Sequence, residues 1–524
     1  MSTSLTEAQL PEFRTWLIRK RPLGFALTSS QVAVSDDTGA CWTIARSNVP
    51  LLKTALTALR DSDRKAWAHD AGKIAVALYR ECGVPLAHLT GILDASTAWA
   101  VVHPDKPLAV SSNGAARDAV AAARFMVALP VGIAAATSAA VLASCHQEQL
   151  WRPVQARGWR VDVAMLEKEL GAATRGRSAK KRELGLDLTD TTTASAKAAI
   201  HAWLAIDGIF IVDKTGRPSL DRNDYEHTRF PGTEAAEARW ATFREVRSIA
   251  SKIDKLLEVK RALRGDRIYS TVVIHGAMTG RGTVVRPALQ NIHRALRGLL
   301  IADEGFVLCA LDLSQVEPRI AAGLSGDANL NAALLSGDVY ASLARGIWGA
   351  DADDENGKIR SEKRDRAKTL MLAIFYGKGK VSLAWDLRIT PAAAQELLDS
   401  VWNLYPGLAS YGAKLRADMA AGRAELTSGG RPVPPPRRGP HAVLNNRVQA
   451  EGADLFYAAA ARVAAVVGPE RLMLGIHDEL VLHVAAAEAV WATEVLEREM
   501  ASTFRGMLIT GSASVLGKAW GKPA

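Results

Sequence analysis

Two carboxylates each follow a run of apolar residues in the C-terminal half of the chain. Residues 307–311 are continuously apolar, which is typical of a buried strand, and Asp312 comes directly after them. A second apolar run, 472–476, leads into the segment 477–479, after which apolar residues resume, so we expect a hairpin whose turn presents Asp478. A carboxylate at the mouth of a buried strand is costly unless it is paired or holds a cation. The pattern predicts a cation site, although a turn or capping role stays open for either residue alone.

A third segment carries two cations and an aromatic residue at helical spacing. Arg364, Lys368, Leu372 and Tyr376 are each four residues apart, so they share one face of a helix that can end at Gly377. An Arg and a Lys one turn apart form a good clamp for a triphosphate, because both present positively charged hydrogen-bond donors. A surface stripe without function would have the same spacing, and that alternative stays open at this point.

The elements that must position these side chains follow from hydrophobic periodicity. Short strand-like runs from about residue 25, followed by a helical period at 51–59, predict a small α/β unit. A long helix is predicted from Thr233 to about Leu263, and its recurring basic residues suit either a solvated face or phosphate binding. The basic residues at 175–182 predict a loop, as does the Pro-rich stretch 431–440. Beyond residue 265 the mixture of strands and helices predicts an α+β domain.

Composition limits the class of protein. A chain of 524 residues is too long for one hydrophobic core, so we expect about two to four packed units. Hydrophobic residues at 48% and charged residues at 23% exclude a mainly disordered, collagen-like or coiled-coil chain. The net charge of +10 favours a polyanionic partner such as nucleic acid.

Cysteine usage and the chain start predict an intracellular, cytoplasmic protein. The 4 cysteines lie far apart, which argues against a disulfide framework and against a zinc site, and the first 25 residues lack the apolar core of a secretory signal. Residues 125–145 are uncharged and long enough to span a bilayer. They consist mostly of Ala, Gly, Ser and Thr, so we expect a buried helix and no membrane association.

Several segments resemble the motifs of family A DNA polymerases, a family of bacterial repair enzymes and phage enzymes. Motifs A, B and C of that family are similar, in the same order, to LDLSQVEPRI (311–320), KRDRAKTLMLAIFYG (363–377) and IHDELVL (476–482). Further segments of the family are similar to TGRGTVVRPALQNI (279–292), NNRVQAEGADL (445–455) and ARGWRVD (156–162). The resemblance covers about residues 145–524.

The resemblance implies an α+β right-hand fold, with an antiparallel sheet in the palm and helical fingers and thumb, preceded by a small α/β exonuclease-like domain. We expect a degenerate exonuclease-like domain at 1–125, linker helices and the thumb at 126–270, and the palm and fingers at 271–524, with the fingers at about 325–425.

The same resemblance implies a template-directed DNA polymerase that adds dNTPs to a primer 3′-hydroxyl. Asp312 and Asp478 are expected to hold two Mg²⁺ ions, which activate the hydroxyl and stabilise the leaving pyrophosphate. Lys368 is also expected as a proton donor to pyrophosphate, and Glu317 as a steric gate against the ribose 2′-hydroxyl. The expected nucleotide-binding residues are Arg364, Lys368, Leu372, Tyr376, Gln315 and Glu317.

Six residues are expected, from the same resemblance, to touch template or primer. Minor-groove acceptors occupy similar places in every correct base pair, so contacts to them check geometry without reading sequence. The six are Arg281, Gln290, Asn291, Asn445, Gln449 and His477. For Gln290, Asn291 and Asn445, hydrogen bonding within a turn or loop is the alternative.

The chain departs from the family pattern at a few places. Leu372 stands where an aromatic residue is usual, and Tyr340 where His is frequent. In the N-terminal unit the first strand-like run lacks a D-x-E, and only the segments containing Asp70 and Asp94 could be remnants of acidic nuclease motifs. A two-metal nuclease cannot hold its ions with half its carboxylates, so we expect no proofreading.

Two other functions stay open. A single-subunit RNA polymerase shares the acidic residues and the motif B Lys and Tyr, but Glu317 argues against it. A catalytically silent DNA-binding relative is opposed by the intact Asp312, Asp478, Arg364 and Lys368. The expected partners are primer–template DNA and dNTPs, with a monomeric protein, no membrane partner and no identified replisome partner.

Overall fold

The structure is a computed structural model that describes residues 2–98 and 135–521, apart from short gaps. These gaps are at 18–22, 28–29, 37, 39, 63–65, 69–70, 91, 95–96, 214, 222–223, 226–227 and 438. Asp70, residues 125–134 and the domain boundary expected at 125/126 therefore lie outside the described residues.

A mixed sheet of six strands, here called the N-terminal sheet, organises the first part of the chain. Its strands are β1 (Ser2–Ser4), β2 (Leu23–Leu27), β3 (Gln31–Asp36), β4 (Cys41–Ala45), β5 (Ala66–Ala68) and β6 (Ile92–Asp94), in the order β1-β4-β3-β2-β5-β6. Apolar side chains of the sheet and of the helices α1 (Leu10–Leu17), α2 (Val49–Asp61) and α3 (Ala71–Cys82) form a separate core. The α/β unit expected from the sequence is confirmed here.

Four long helices follow, and they are α4 (Ala135–Arg157), α5 (Val163–Leu184), α6 (Ala194–Ala205) and α7 (Glu234–Ala262). The predicted helix from Thr233 is confirmed as α7, with Thr233 as its N-cap. The predicted loop at 175–182 is wrong, because these residues continue α5. Residues 163–184 are rich in Ala, Leu, Glu, Lys and Arg, and their helix propensity outweighs the cost of two internal glycines.

The stretch 125–145 enters the described residues at Ala135, as the start of α4. Ser144 and Cys145 are buried there, as expected for a packed helix. Among the described helices, none has both the length and the apolar character needed to cross a bilayer.

An antiparallel sheet of four strands, here called the C-terminal sheet, lies at the centre of the largest core. Its strands run in the order β15-β16-β12-β19. They are β12 (Phe306–Leu313), β15 (Leu472–Ile476), β16 (Glu479–Ala485) and β19 (Gly511–Gly517). The predicted strands at 307–311 and 472–476 and the predicted hairpin are confirmed. The helices α15 (Val443–Val467) and α16 (Ala489–Met500) pack on the same core and cover its apolar side chains.

The chain between β12 and β15 is mainly helical. Its helices are α8 (Val316–Ser325), α9 (Ala328–Leu335), α10 (Val339–Trp348), α11 (Ser361–Phe375), α12 (Lys380–Leu387), α13 (Pro391–Leu404) and α14 (Pro406–Ala420). A short hairpin of β13 (Glu425–Leu426) and β14 (Pro432–Val433) precedes α15, so the Pro-rich stretch is a loop apart from those two strand residues.

The remaining strands are short and connect these units. They are β7 (Trp159–Val161), β8 (Arg267–Ile268), β9 (Thr271–Val273), β10 (Thr283–Val285), β11 (Leu300–Ile301), β17 (Ser502–Phe504) and β18 (Met507–Ile509). The pair β9–β10 forms an antiparallel hairpin, and its connecting turn leads into the site described below.

Candidate active site

The fold brings Asp312 and Asp478 together. Asp312 lies near the end of β12, where the register with β16 pairs it with Glu479. Asp478 lies in the turn from β15 to β16, and its backbone carbonyl accepts a hydrogen bond from the N–H of Leu313 at 3.2 Å. The apolar side chains of β12 and β15 are buried, which fixes the register of the strands. The two acids therefore lie together where these strands end, at one end of the sheet.

These two residues, the acidic pair, repel each other in their ionised forms. Burial, and then the charge of Asp312, raise the pKa of Asp478 to about 7. Burial also raises the pKa of Asp312, although a hydrogen bond with Asp478 and the charge of Arg297 oppose that rise. Two carboxylates this close share a proton or a cation, so the acidic pair has the donor chemistry that a divalent metal ion requires.

A third carboxylate beside the pair already has partners. Glu479 accepts hydrogen bonds from Arg297 at 3.1 Å and from the indole N–H of Trp520 at 3.3 Å. The Arg297 guanidinium also lies over the Trp520 ring, 4.3 Å from its centroid. Sequence reasoning missed Arg297 and Trp520, since neither belongs to a recognised motif and both reach the site only through the fold.

The helix α11 presents its predicted face to solvent. Arg364, Lys368, Leu372 and Tyr376, here called the cationic face, are exposed or half-buried, and residues of the opposite side are buried. Gly377 ends the helix at φ +63°, and a Cβ there would lie 2.3 Å from the carbonyl oxygen of His441. Only glycine permits this approach, which seats the end of α11 against the start of α15.

Two groups from α10 contact the cationic face. Asp338 caps α10 and accepts a hydrogen bond from Arg364 Nε at 2.5 Å. Burial raises the pKa of Asp338, but the hydrogen bonds from Arg364 and from backbone N–H groups outweigh it and hold the pKa below its ordinary value. The Tyr340 ring lies 5.5 Å from the Arg364 guanidinium and 5.9 Å from Lys368 Nζ, so both cations stand around one aromatic face.

Arg281 connects Glu317 to the end of α11. Its Nη2 donates to Glu317 Oε1 at 2.7 Å, and both side chains are largely buried. Burial raises the pKa of Tyr376, and the nearby guanidinium of Arg281 opposes that rise. Arg281, Glu317 and Tyr376 come from separate segments of the chain and lie together beside the acidic pair.

A sequence profile of one family matches this part of the chain. The profile of DNA polymerase family A covers residues 213–522, which is more than half of the chain. The chain belongs to DNA polymerase family A.

Individual relatives agree with the family assignment. DNA polymerase I of Chloroflexus aurantiacus is 30% identical over 301 residues, covering 53% of this chain and 31% of that protein. DNA polymerase of Mycobacterium phage D29 is 27% identical over 260 residues, covering 49% of this chain and 42% of that protein. The matched region therefore spans less than half the length of either relative.

A solved structure shares the fold over nearly the whole chain. It is the POL domain of Pol1 from M. smegmatis in complex with DNA primer-template and dNTP, and it is similar with a TM-score of 0.80 at 19% identity, covering 99% of each chain. The α+β polymerase fold expected from the sequence is confirmed, with the small α/β unit at its N-terminus.

The residues expected to contact template or primer differ in their exposure to solvent. Arg281 and His477 line one cleft, and His477 is exposed in a left-handed backbone conformation at φ +57°. On α15, Gln449 is buried and Asn445 is half-buried, with a buried side-chain oxygen that accepts no hydrogen bond from the described residues. Asn291 is exposed.

The side chains of Gln290 and Gln315, two of the residues expected in the site, form hydrogen bonds with backbone groups of the protein. Gln290 Oε1 accepts from the N–H of Val284 at 2.5 Å, which is the loop hydrogen bonding left open by the sequence. Gln315 donates to the carbonyl of Gly337 at 2.9 Å and accepts from the N–H of Val339 at 3.2 Å. In this conformation the Gln315 amide joins the end of β12 to the start of α10.

The N-terminal sheet of the family A chain places Asp94 at the end of β6. Its carboxylate accepts from Thr97 Oγ1 at 2.9 Å and from the N–H of Ala71 at 3.4 Å, and the residue is buried. The described part of β2 carries no acidic residue.

Proposed function

We propose that the chain is a template-directed DNA polymerase that adds dNTPs to a primer 3′-hydroxyl by two-metal phosphoryl transfer. The observation that carries the proposal is the acidic pair at the edge of the C-terminal sheet, with the cationic face of α11 beside it. Electrostatic coupling joins the two, because burial raises the pKa of Asp312 and the charge of Lys368 is one of the groups that oppose this rise. Phosphoryl transfer depends mainly on positioning and charge neutralisation, and these two groups supply both.

Asp312 and Asp478 would hold two Mg²⁺ ions. The bound ions supply activation of the primer hydroxyl and neutralisation of charge on the leaving pyrophosphate. Mg²⁺ is commonly held by one or two carboxylates together with substrate phosphates, so the acidic pair is sufficient from the protein side. Glu479 stays with Arg297 and Trp520 and orients the turn that carries Asp478.

Arg364 and Lys368 bind the triphosphate of the incoming nucleotide. Arg364 Nε donates to Asp338, so a bound phosphate would compete with Asp338 for that guanidinium. Lys368 would give a proton to pyrophosphate, and Leu372 and Tyr376 would line the side of the nucleotide and template base.

Glu317 acts as the gate against ribonucleotides. The ion pair with Arg281 fixes its carboxylate at the first turn of α8, next to the acidic pair. A fixed carboxylate crowds a 2′-hydroxyl more effectively than a mobile one, because it cannot swing away. Arg281, Asn445, Gln449 and His477 would contact primer or template.

The units take the roles expected from the sequence. Residues 1–125 form a degenerate exonuclease-like domain without proofreading, 126–270 linker helices and thumb, and 271–524 palm and fingers, with fingers at about 325–425. The separate core of the N-terminal sheet and the run of helices between β12 and β15 support this division.

Primer extension on a primed template tests the proposal. With Mg²⁺ we expect templated addition of dNTPs, poor addition of rNTPs and no addition after chelation of the metal. Equal use of rNTPs would favour an RNA polymerase, and duplex binding without any extension would favour a catalytically silent relative.

A further inference from the structure

A tight turn at residues 277–281, here called the Arg281 turn, carries Arg281 into the site. The N–H of Ala277 donates to the carbonyl of Arg281 at 3.0 Å, and the N–H of Gly280 donates to the carbonyl of Ala277 at 2.8 Å. These two bonds close the turn but do not tie it to the rest of the protein. Its position depends on two side chains outside the turn, one just before it in the β9–β10 connection and one in the β13–β14 connection.

One of these side chains is His275. Its Nδ1 lies 2.8 Å from the carbonyl oxygen of Gly280, and its Nε2 lies 2.7 Å from Ser144 Oγ on α4. Burial, and then the charge of Arg431, lower the pKa of His275 to about 3, so the ring is neutral and carries one N–H. Because a carbonyl only accepts, that hydrogen is on Nδ1, and the single hydroxyl hydrogen of Ser144 lies within reach of both Nε2 and the carbonyl oxygen of Ala140.

The second side chain is Arg431, which is only 2% exposed. It donates to the carbonyl of Thr279 at 3.2 Å and to the carbonyl of Ala450 at 2.7 Å, and its Nε donates to Asp454 at 2.8 Å. A Cβ on Gly280 would lie 2.3 Å from the Arg431 guanidinium carbon, so this cation packs directly on the turn backbone. The turn is therefore held between α4 on one side and α15 on the other.

We infer that His275 and Arg431 are positioning residues, which fix the Arg281 turn and thereby the guanidinium of Arg281. The inference rests on the proposed polymerase function and adds two residues to its sugar-selection apparatus. Arg281 donates to Glu317 at 2.7 Å, so a displaced turn would release Glu317 from its partner. The expected consequence is weaker discrimination between dNTP and rNTP, since small misplacements in a site have large kinetic effects.

The test uses two substitutions and a matched control. His275→Asn removes the two-sided contact, and Asn tolerates the left-handed conformation of this position at φ +56°. Ser144→Ala removes the hydroxyl that orients the ring. Ser400→Ala is the control, because the Ser400 hydroxyl lies 2.8 Å from the carbonyl oxygen four residues earlier, as the Ser144 hydroxyl does at 2.7 Å, but it is half-buried on α13 and not on α4.

The readout is the ratio of kcat/KM for a dNTP to that for the matching rNTP. We expect the ratio to fall about tenfold in His275→Asn and about threefold in Ser144→Ala, and to stay unchanged in Ser400→Ala. In an Arg281→Ala background, His275→Asn should change the ratio no further, because both act through the same guanidinium. A general loss of folding would lower both rates and leave the ratio intact, and that result would overturn the inference.

Amide hydrogen exchange of residues 277–281 gives a second measurement that needs no activity. Exchange should be faster in His275→Asn and Ser144→Ala than in the unsubstituted protein and Ser400→Ala. Unchanged protection in both variants would overturn the inference, whether or not the protein extends primers. A protein that shows the exchange effect but fails to extend any primer would instead contradict the proposed function.

Discussion

The N-terminal and C-terminal sheets each carry an aspartate at or near the end of a strand, and the two aspartates have different surroundings. Asp94 at the end of β6 accepts hydrogen bonds from Thr97 and from the backbone of Ala71. Asp312 near the end of β12 meets a second carboxylate, Asp478. Burial raises the pKa of both groups, and the charge of Asp312 raises the pKa of Asp478 further. A strand-end carboxylate thus supports local structure where it is given donors, and in the proposed function it holds a metal ion where it is given another acid.

The difference has an energetic consequence. Hydrogen bonds to Asp94 stabilise the fold, whereas repulsion within the acidic pair opposes it and is offset by the apolar burial of β12, β15 and β16. Functional sites commonly hold groups in arrangements that lower stability. Substitutions of the acidic pair should therefore lower the extension rate without lowering stability. Substitution of Asp94 should lower stability without changing the extension rate.

The largest effect is expected for Asp312→Asn and Asp478→Asn, which remove charge at nearly constant shape. Loss of a metal-binding carboxylate should remove several kcal/mol of transition-state stabilisation, or about a thousandfold or more in extension rate. Thermal unfolding without divalent ions should be unchanged or shifted upward, because the repulsion is relieved. Mg²⁺ should raise the unfolding temperature of the unsubstituted protein and not of either variant. Near-normal extension in either variant would remove the site assignment.

The next effect is expected for Lys368→Ala on the cationic face. Its proposed partner is the triphosphate, so kcat/KM for dNTP should fall about a hundredfold, while the affinity for primer–template changes little. Lys363→Ala is a matched control on the same helix, since Lys363 lies over the Trp348 ring and outside the face. Weakened duplex binding with unchanged incorporation would reverse the role given to Lys368.

A smaller and more selective effect is expected for Glu317→Ala. Removal of the carboxylate should raise rNTP use relative to dNTP use by about tenfold, because the 2′-hydroxyl is no longer crowded. Glu317→Gln keeps the volume, so it should change the ratio less. If neither substitution moves the ratio in single-nucleotide addition assays, the RNA polymerase alternative becomes the better explanation.

Local sequence patterns predicted the parts of the site that depend on periodicity. The apolar runs before Asp312 and Asp478 and the four-residue spacing of α11 fix strands, turn and helix face without knowledge of tertiary contacts. The partners of amide and guanidinium groups could not be predicted in this way. Gln315 bonds Gly337, which is 22 residues away, and Arg297 bonds Glu479, which is 182 residues away. Neither distance has a local sequence signal.

The smallest effect on polymerisation is expected in the N-terminal sheet. Asp94→Ala should leave extension unchanged, because Thr97 and Ala71, which donate to its carboxylate, belong to the N-terminal part of the chain. The substitution leaves the Thr97 hydroxyl and the Ala71 N–H without this acceptor, so the free energy of unfolding should fall by about 1 to 3 kcal/mol in urea titrations. Asp94→Asn keeps one acceptor oxygen and should lose less.

The same variants decide whether this sheet retains nuclease chemistry. Removal of nucleotides from a mismatched primer end needs carboxylates that bind two ions and orient a water, and the described part of β2 supplies none while Asp94 is occupied by hydrogen bonds. We therefore expect no Mg²⁺-dependent 3′→5′ digestion of single-stranded or mismatched DNA, so that mismatched ends persist and extend slowly. Asp312→Asn separates the two sheets, because it silences extension and leaves the N-terminal sheet intact. Digestion that persists in Asp312→Asn and disappears in Asp94→Ala or Asp70→Ala would show that the N-terminal aspartates also bind metal, and the contrast between the two sheets would then be wrong.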